Sequence, residues 1–469
     1  MSTTTNRPKL AIISTYNELC GIAAYTERLE RYLTDDFEVE VIALDQSILR
    51  SDAPRRMKLA EAHIRDICEQ LKGFDAVNIQ YEPGTLGPTG GIAYRRFKRF
   101  VRASRSLSVT FHTFAHSGGF PTLQILKSLS KLKPGAAIST AKEWWRLRSI
   151  GASVFRLLKG EQARKHVSLI VHTKREAGFL KLDYDFKNVF DHPLSFLRDE
   201  DVDDALANSH RDAFPPLREV PADARLIGVF GFIAPYKGTL TAVRSLRYLP
   251  DDYHLAIFGA IHPAEIKPHV ALNSYLEEIM REMTGYTDTA KAEDLSTGLE
   301  RIAIEQMRKN RSDISHRVHF MGSLDEEQFA HGMALCDTVV LPYLEVGQTS
   351  SGPISFAVEL GKPIVGARNH AFGQFARYHK DRVDFFDIGN HIELADRVVH
   401  PYTKPNNNPR RSYRTNRAVY VAAHTPGAPM PEFDSRPEIV VTPAASIDPS
   451  GSRSNAVRED EPVLESTPS

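Results

Sequence analysis

The stretch RLIGVFGFIAPYKGTLTAVRSLRYL, residues 225–249, decides the fold. It opens on a near-continuous apolar run, passes through a loop holding two glycines and a proline, and ends on apolar residues at helical spacing. A strand buried on both faces and followed at once by a helix is one step of a parallel sheet. The step is repeated on both sides. Before it lie KLAIIST (9–15), FEVEVIAL (37–44), FDAVNIQ (74–80), LSVTFHT (107–113) and VSLIVHT (167–173), with helical patterns such as GIAAYTERLERYL (21–33) between them. After it come YHLAIFGA (253–260), RVHFMG (317–322), DTVVLPY (337–343), PIVGA (363–367) and VDFFDI (383–388). The polar stretch LRDEDVDDALANSHRDAFPPLREVPADA (197–224) separates the two series.

This pattern predicts an α/β protein of two Rossmann-like, doubly wound parallel-sheet domains, 1–196 and 225–402, joined by a linker over 197–224. Residues 264–314 read as a long helical insertion. NRAVYVAA (416–423) marks a closing helix within 403–425, and the Pro- and Ser-rich residues 426–469 read as a disordered tail. In such sheets ligands sit beyond the carboxyl ends of the strands, so the loops after each strand are where chemistry is expected.

Composition narrows the function classes. Lys+Arg and Asp+Glu are equal at 59 each, so no global field draws a polyanion, and no nucleic-acid motif is present. Three distant cysteines make neither a disulfide framework nor a zinc site, which suits a reducing, cytoplasmic compartment. The start of the chain lacks the pattern of a signal peptide, and no apolar run is long enough to span a membrane. No Gly-x-Gly-x-x-Gly follows a predicted strand, which disfavours a dinucleotide-dependent dehydrogenase.

Several loops carry candidate chemistry. In GFIAPYKGTL (231–240), Gly231 lets backbone approach closely, and Lys237-Gly238 stands at a helix entry, a combination suited to phosphate. In QTSSGPISFAVELGKPIVGA (348–367), Gly352 can cap a short helix with Pro353 at its first position. The hydroxyls of Thr349, Ser350 and Ser351 precede it, and Ser351, Ser355 and Glu359 are four apart. In the first series, Gly21 opens a helix after the first strand, Glu82 follows the third, and His112 ends the fourth. The acidic run DEDVDD (199–204) reads as solvated surface rather than a metal site.

Together these stretches resemble the GT-B-fold retaining glycosyltransferases of the family-four (GT4-like) type. The matches are STYNELCGIAAYTERL, VNIQYEPGTLG, VTFHTF, VHTKREAGFL, FDHPL, GFIAPYKG, RVHFMGSLDEEQFAHGMALCDTVVLPY and SSGPISFAVELGKPIVGA, in family order over roughly residues 9 to 400. The resemblance implies a nucleotide-sugar donor, a glycan or lipid-linked acceptor, and no metal or other cofactor. It implies catalytic roles for His112, Lys237 and Glu359, with Lys237 on the donor diphosphate and Glu359 on the ribose as the second acid of a Glu-x7-Glu motif. Gly21, Gly231, Gly238, Ser350, Ser351, Gly352, Pro353 and Ile354 complete the implied donor site, and Glu82 and His116 fall on the acceptor side. Two positions depart from the family. Ser351 replaces the first acid, and Phe232 stands where an Arg usually precedes the Lys, with Arg368 or Lys362 as further cations for the diphosphate. A non-catalytic GT-B protein and a GT-B nucleotide-sugar epimerase are the alternatives.

One segment lies outside this pattern. Residues 94–165 are strongly basic, with Lys127, Lys131, Lys133, Lys142, Arg146, Arg148, Arg156, Lys159, Arg164 and Lys165 opposed in 127–165 by Glu143 and Glu161. Both tryptophans, Trp144 and Trp145, lie inside it. Two readings stand side by side: a peripheral contact with an anionic membrane face, or a solvated helical face with the Trp pair in the core.

Overall fold

In the computed structural model the described residues are 7–18, 20–113, 122–130, 134–261, 273–285, 313–345, 350–402 and 408–433. Among these residues twelve strands form two six-stranded, wholly parallel sheets. The first contains β1 (Lys9–Ser14), β2 (Glu38–Ala43), β3 (Ala76–Tyr81), β4 (Leu107–Phe111), β5 (Val167–Val171) and β6 (Val189–Asp191), in the order β2-β1-β3-β4-β5-β6. The second contains β7 (Arg225–Phe230), β8 (Tyr253–Phe258), β9 (Val318–Gly322), β10 (Thr338–Leu341), β11 (Ile364–Ala367) and β12 (Val383–Phe386), in the order β12-β11-β10-β7-β8-β9.

The central strands are apolar because helices cover both faces: every residue of AVNIQY in β3, LSVTF in β4 and VSLIV in β5 is buried. Strand order reverses between β1 and β3 and between β7 and β10. A crevice therefore opens at the carboxyl ends of both pairs. Strand β6, three residues long, was not among the strands expected. Its chain is short, and its last residue is half-buried, so it carries little periodic signal.

The two lobes belong to one unit, which runs to Arg436. A helix over Ser412–His424 follows the second sheet and packs on the first. Its Tyr420 hydroxyl lies 2.9 Å from Thr110 Oγ1 and 3.3 Å from the Tyr25 hydroxyl. Its Arg417 bonds Asp36 at 2.6 Å and Asp35 at 2.8 Å.

Two expectations change here. The acidic run forms a helix, Asp199–Asn208, whose Asp199 pairs with Arg411 at 2.8 Å and whose Asp201 pairs with Arg28 at 3.2 Å, both part-buried. It faces cations brought by distant segments and so is not simply solvated surface. Residues 426–433, expected within the tail, are described and packed. Phe433 packs its ring on His192, Tyr378 and His379 at 5.2–5.3 Å, and residues beyond it lie outside the described ones. Of the expected helical insertion, Ser274–Thr284 is a helix, while 264–272 and 286–312 also lie outside the described residues.

Candidate functional site

Between the lobes lies a cleft of about 920 Å³. Gly21, at the start of the Gly21–Leu33 helix, lines its first-lobe wall, while Gly231, Phe232, Gly259 and Leu324 line the second. Arg28, itself buried, crosses between the walls, with Nε 2.9 Å from Glu326 Oε2.

Lys237 lies buried behind the second-lobe wall, against the cleft-lining Gly231. Gly238 has φ of 69°, and a Cβ there would fall 1.8 Å from the Pro342 carbonyl oxygen, so only glycine admits the turn that carries Lys237 inward. Gly231 has φ of 108°, and a Cβ on it would meet Lys237 Cε and Nζ at 3.4 Å. The ammonium is thus folded against bare backbone. It is 7% exposed and donates to the Tyr343 hydroxyl at 2.7 Å, lying 3.9 Å from that ring's centroid. Among the described residues no carboxylate pairs with it, and burial pushes its pKa down to about 8. A buried cation without a counter-charge is expensive unless an anion arrives.

Ser351 completes this group. It caps the helix Gly352–Glu359, one residue earlier than the cap expected at Gly352, and its hydroxyl donates to Tyr343 at 3.4 Å. Lys237 and Ser351 therefore converge on one residue, Tyr343, that sequence reasoning did not single out. The signal was available: Tyr343 ends DTVVLPY, just past the carboxyl end of β10. Ser350, Gly352 and Pro353 are half-buried beside Ser351, whereas Ile354 is a fully buried core residue.

Glu359 goes elsewhere. It has zero exposure, and its carboxylate accepts from Ser195 Oγ at 2.6 Å, Ser412 Oγ at 2.8 Å, and the amides of Phe196 and Leu197 at 3.1 Å each. It faces the two segments by which the chain passes between lobes, and it is not among the residues that line the cleft. Burial pushes its carboxyl up to about 7 against the pull of these four donors. Lys362 is misplaced for a diphosphate, since it precedes β11 at the amino end of the sheet and donates to the Ala334 carbonyl at 2.8 Å. Arg368 is exposed and paired with Asp387 at 3.5 Å.

On the first lobe, His112 Nε2 lies 2.7 Å from Gln80 Oε1, and its ring is 5.2 Å from that of His172. Burial, then His172, hold its pKa well below the usual imidazole range. Glu82 caps the short helix Pro83–Leu86 and accepts from Thr113 Oγ1. His116 lies outside the described residues. One group among the described residues has metal-ligand types: Asp204, Glu327 and His331 place one ligand atom each within 4.8 Å of one another. His331 Nε2 already lies 3.1 Å from Asp204 Oδ2, a polar contact between two packed helices.

No family model matches the sequence, and no curated protein does. Solved structures match in fold. The catalytic domain of starch synthase IV from Arabidopsis thaliana, bound to ADP and acarbose, aligns with a TM-score of 0.52 at 11% identity, covering 90% of this chain and 99% of that one. A glycosyltransferase from Rickettsia africae aligns with a TM-score of 0.50 at 12% identity, covering 90% and 95%. With two parallel sheets facing a cleft and a last helix returning to the first lobe, this chain has the GT-B fold.

Proposed function

We propose that the chain is a retaining, GT4-like glycosyltransferase that moves a sugar from a nucleotide-sugar donor to a hydroxyl of a glycan or lipid-linked glycan. The observation that carries this is Lys237, a buried ammonium with no carboxylate partner among the described residues, at the carboxyl ends of the second sheet beside a large cleft. The donor diphosphate supplies the missing counter-charge. As the bond from the sugar's anomeric carbon to the diphosphate oxygen breaks, the electron pair leaves with the diphosphate, and Lys237 stabilises it. The acceptor oxygen bonds to the same face of that carbon, and its proton passes to the leaving diphosphate. No side-chain base and no metal are needed in this reading. His112 stands beside the sugar, and the Gly21 helix start faces the diphosphate from the other wall.

Thermal denaturation with UDP-glucose, ADP-glucose, GDP-mannose and the free nucleotides tests the reading. At least one pair should raise the midpoint in a concentration-dependent way. A protein indifferent to all of them refutes the proposal, and product formed without acceptor moves it to an epimerase.

We further place the enzyme in the cytoplasm, at an anionic membrane face. No helix among the described residues is long and apolar enough to cross a membrane. On the helices Thr122–Ser130 and Pro134–Gln162, however, Leu126, Ile138 and Trp145 are 56%, 68% and 63% exposed, beside exposed Lys127, Lys142, Arg148 and Arg156. Apolar side chains set among cations suit a lipid interface. The protein should sediment with phosphatidylglycerol vesicles and not with phosphatidylcholine ones, and Trp145→Ser should weaken this. Equal recovery in both supernatants refutes the contact.

A further inference from the structure

His172 and Ser355 each leave a buried polar atom without a partner, and both line one small void. His172 follows β5, is 3% exposed, and donates from Nδ1 to the His192 carbonyl at 3.0 Å. That bond fixes the tautomer, so Nε2 is a bare acceptor, and it has no hydrogen-bond partner among the described residues. Ser355 lies inside the helix Gly352–Glu359 and is 2% exposed. A serine there ordinarily returns its hydroxyl to the carbonyl four residues back, yet Ser355 Oγ has no partner among the described residues either. Two orphaned atoms of complementary type at one place cost stability that ordinary packing would have removed.

The void between them holds about 10 Å³, room for one oxygen atom. The rest of its lining is apolar apart from Ser350 and Ser351, with Ile354, Phe372 and Phe375 among the walls. Ser351 belongs both to this lining and to the chain of hydroxyls that reaches Lys237 through Tyr343. The void therefore adjoins the proposed diphosphate site on the side of His112, whose ring lies 5.2 Å from that of His172.

We infer that His172 and Ser355 seat one hydroxyl of the transferred sugar, which donates its proton to His172 Nε2 and accepts from Ser355 Oγ. The inference rests on the glycosyltransferase reading and adds sugar-positioning residues to it. Both orphaned atoms become satisfied together, and a sugar lacking that hydroxyl leaves both buried and unpaired. Burial pushes the His172 pKa down to about 4, so the acceptor stays bare across the neutral range.

Calorimetric titration with UDP and UDP-glucose, ADP and ADP-glucose, and GDP and GDP-mannose separates the sugar contribution from the nucleotide contribution. Ser355→Ala removes one unpaired oxygen and should leave thermal stability intact. It should bind the free nucleotide like the natural protein and weaken only the sugar conjugate, by about 10-fold. His172→Ala should act in the same direction by about 10- to 100-fold. Nucleotide and conjugate affinities that are both unchanged in the two variants would show that the void holds a structural water only, overturning the inference while leaving the proposed function standing. A natural protein that binds no nucleotide overturns both.

Discussion

Replacing Glu359 by alanine should lower folding stability by about 3–5 kcal/mol, since four buried donors would lose their acceptor at once. Those donors come from two crossings of the chain. Ser195, Phe196 and Leu197 lead out of the first lobe, and Ser412 begins the helix that returns to it. One carboxylate at the end of a second-lobe helix therefore knots both crossings. Without it the Ser412–His424 helix loses an anchor, and with it the packing of Tyr420 on Thr110. Thermal denaturation checks the loss, and a natural midpoint combined with lost activity would assign Glu359 a ligand-binding role. A second check uses pH. The folded pKa of about 7 lies above the ordinary 4.5, so between these values the folded state holds a proton that the unfolded state has released. Stability from this group is therefore full below 4.5 and is lost as pH rises towards 7. Glu176, also raised to about 7, slopes the same way, and buried histidines such as His172 slope the opposite way. The difference between the natural protein and Glu359→Gln isolates the Glu359 share, and identical slopes in the two would refute it.

The contrast between Glu359 and Lys237 shows what a sequence reveals. Eleven strands were legible, because burial on both faces writes itself as a local apolar run. Lys237 was legible for a related reason: its loop is local, bounded by Gly231 and Gly238, whose positive φ values are properties of a few adjacent residues. The partners of Glu359 were not legible, because they are 164 and 53 residues away, at Ser195 and Ser412. Six of the eight residues in its helix are buried, so spacing by four singles out no solvent-facing side. The acidic run at 199–204 failed in the same way, since its cations Arg28, Arg411 and Arg414 arrive from both ends of the chain. His172 sat in a quoted strand end, but an orphaned lone pair becomes visible only when the facing helix is in place.

Lys237→Met should cost donor-dependent activity about 10²–10³-fold while leaving the ligand-free protein as stable as before or more so. The opposite signs follow from one fact. With no anion bound, the ammonium is buried against Tyr343 and Gly231 with no carboxylate partner among the described residues, so its charge destabilises the folded state. Its folded pKa of about 8 lies below the ordinary 10.5, so the folded state sheds a proton first, and stability rises with pH between these values. Methionine fills a similar volume without the charge and should abolish that rise. When the diphosphate is bound, the same burial turns from a cost into an advantage, because a water-poor surrounding strengthens the attraction. The free enzyme should accordingly lose kcat/KM as pH rises through about 8, where Lys237 becomes neutral, and the nucleotide should pull that limb to higher pH. Titration of the nucleotide against Lys237→Met, alongside denaturation of the ligand-free variant, reads both signs. A variant that is less stable but binds the nucleotide normally would make Lys237 a structural donor to Tyr343 and remove the anion from this site.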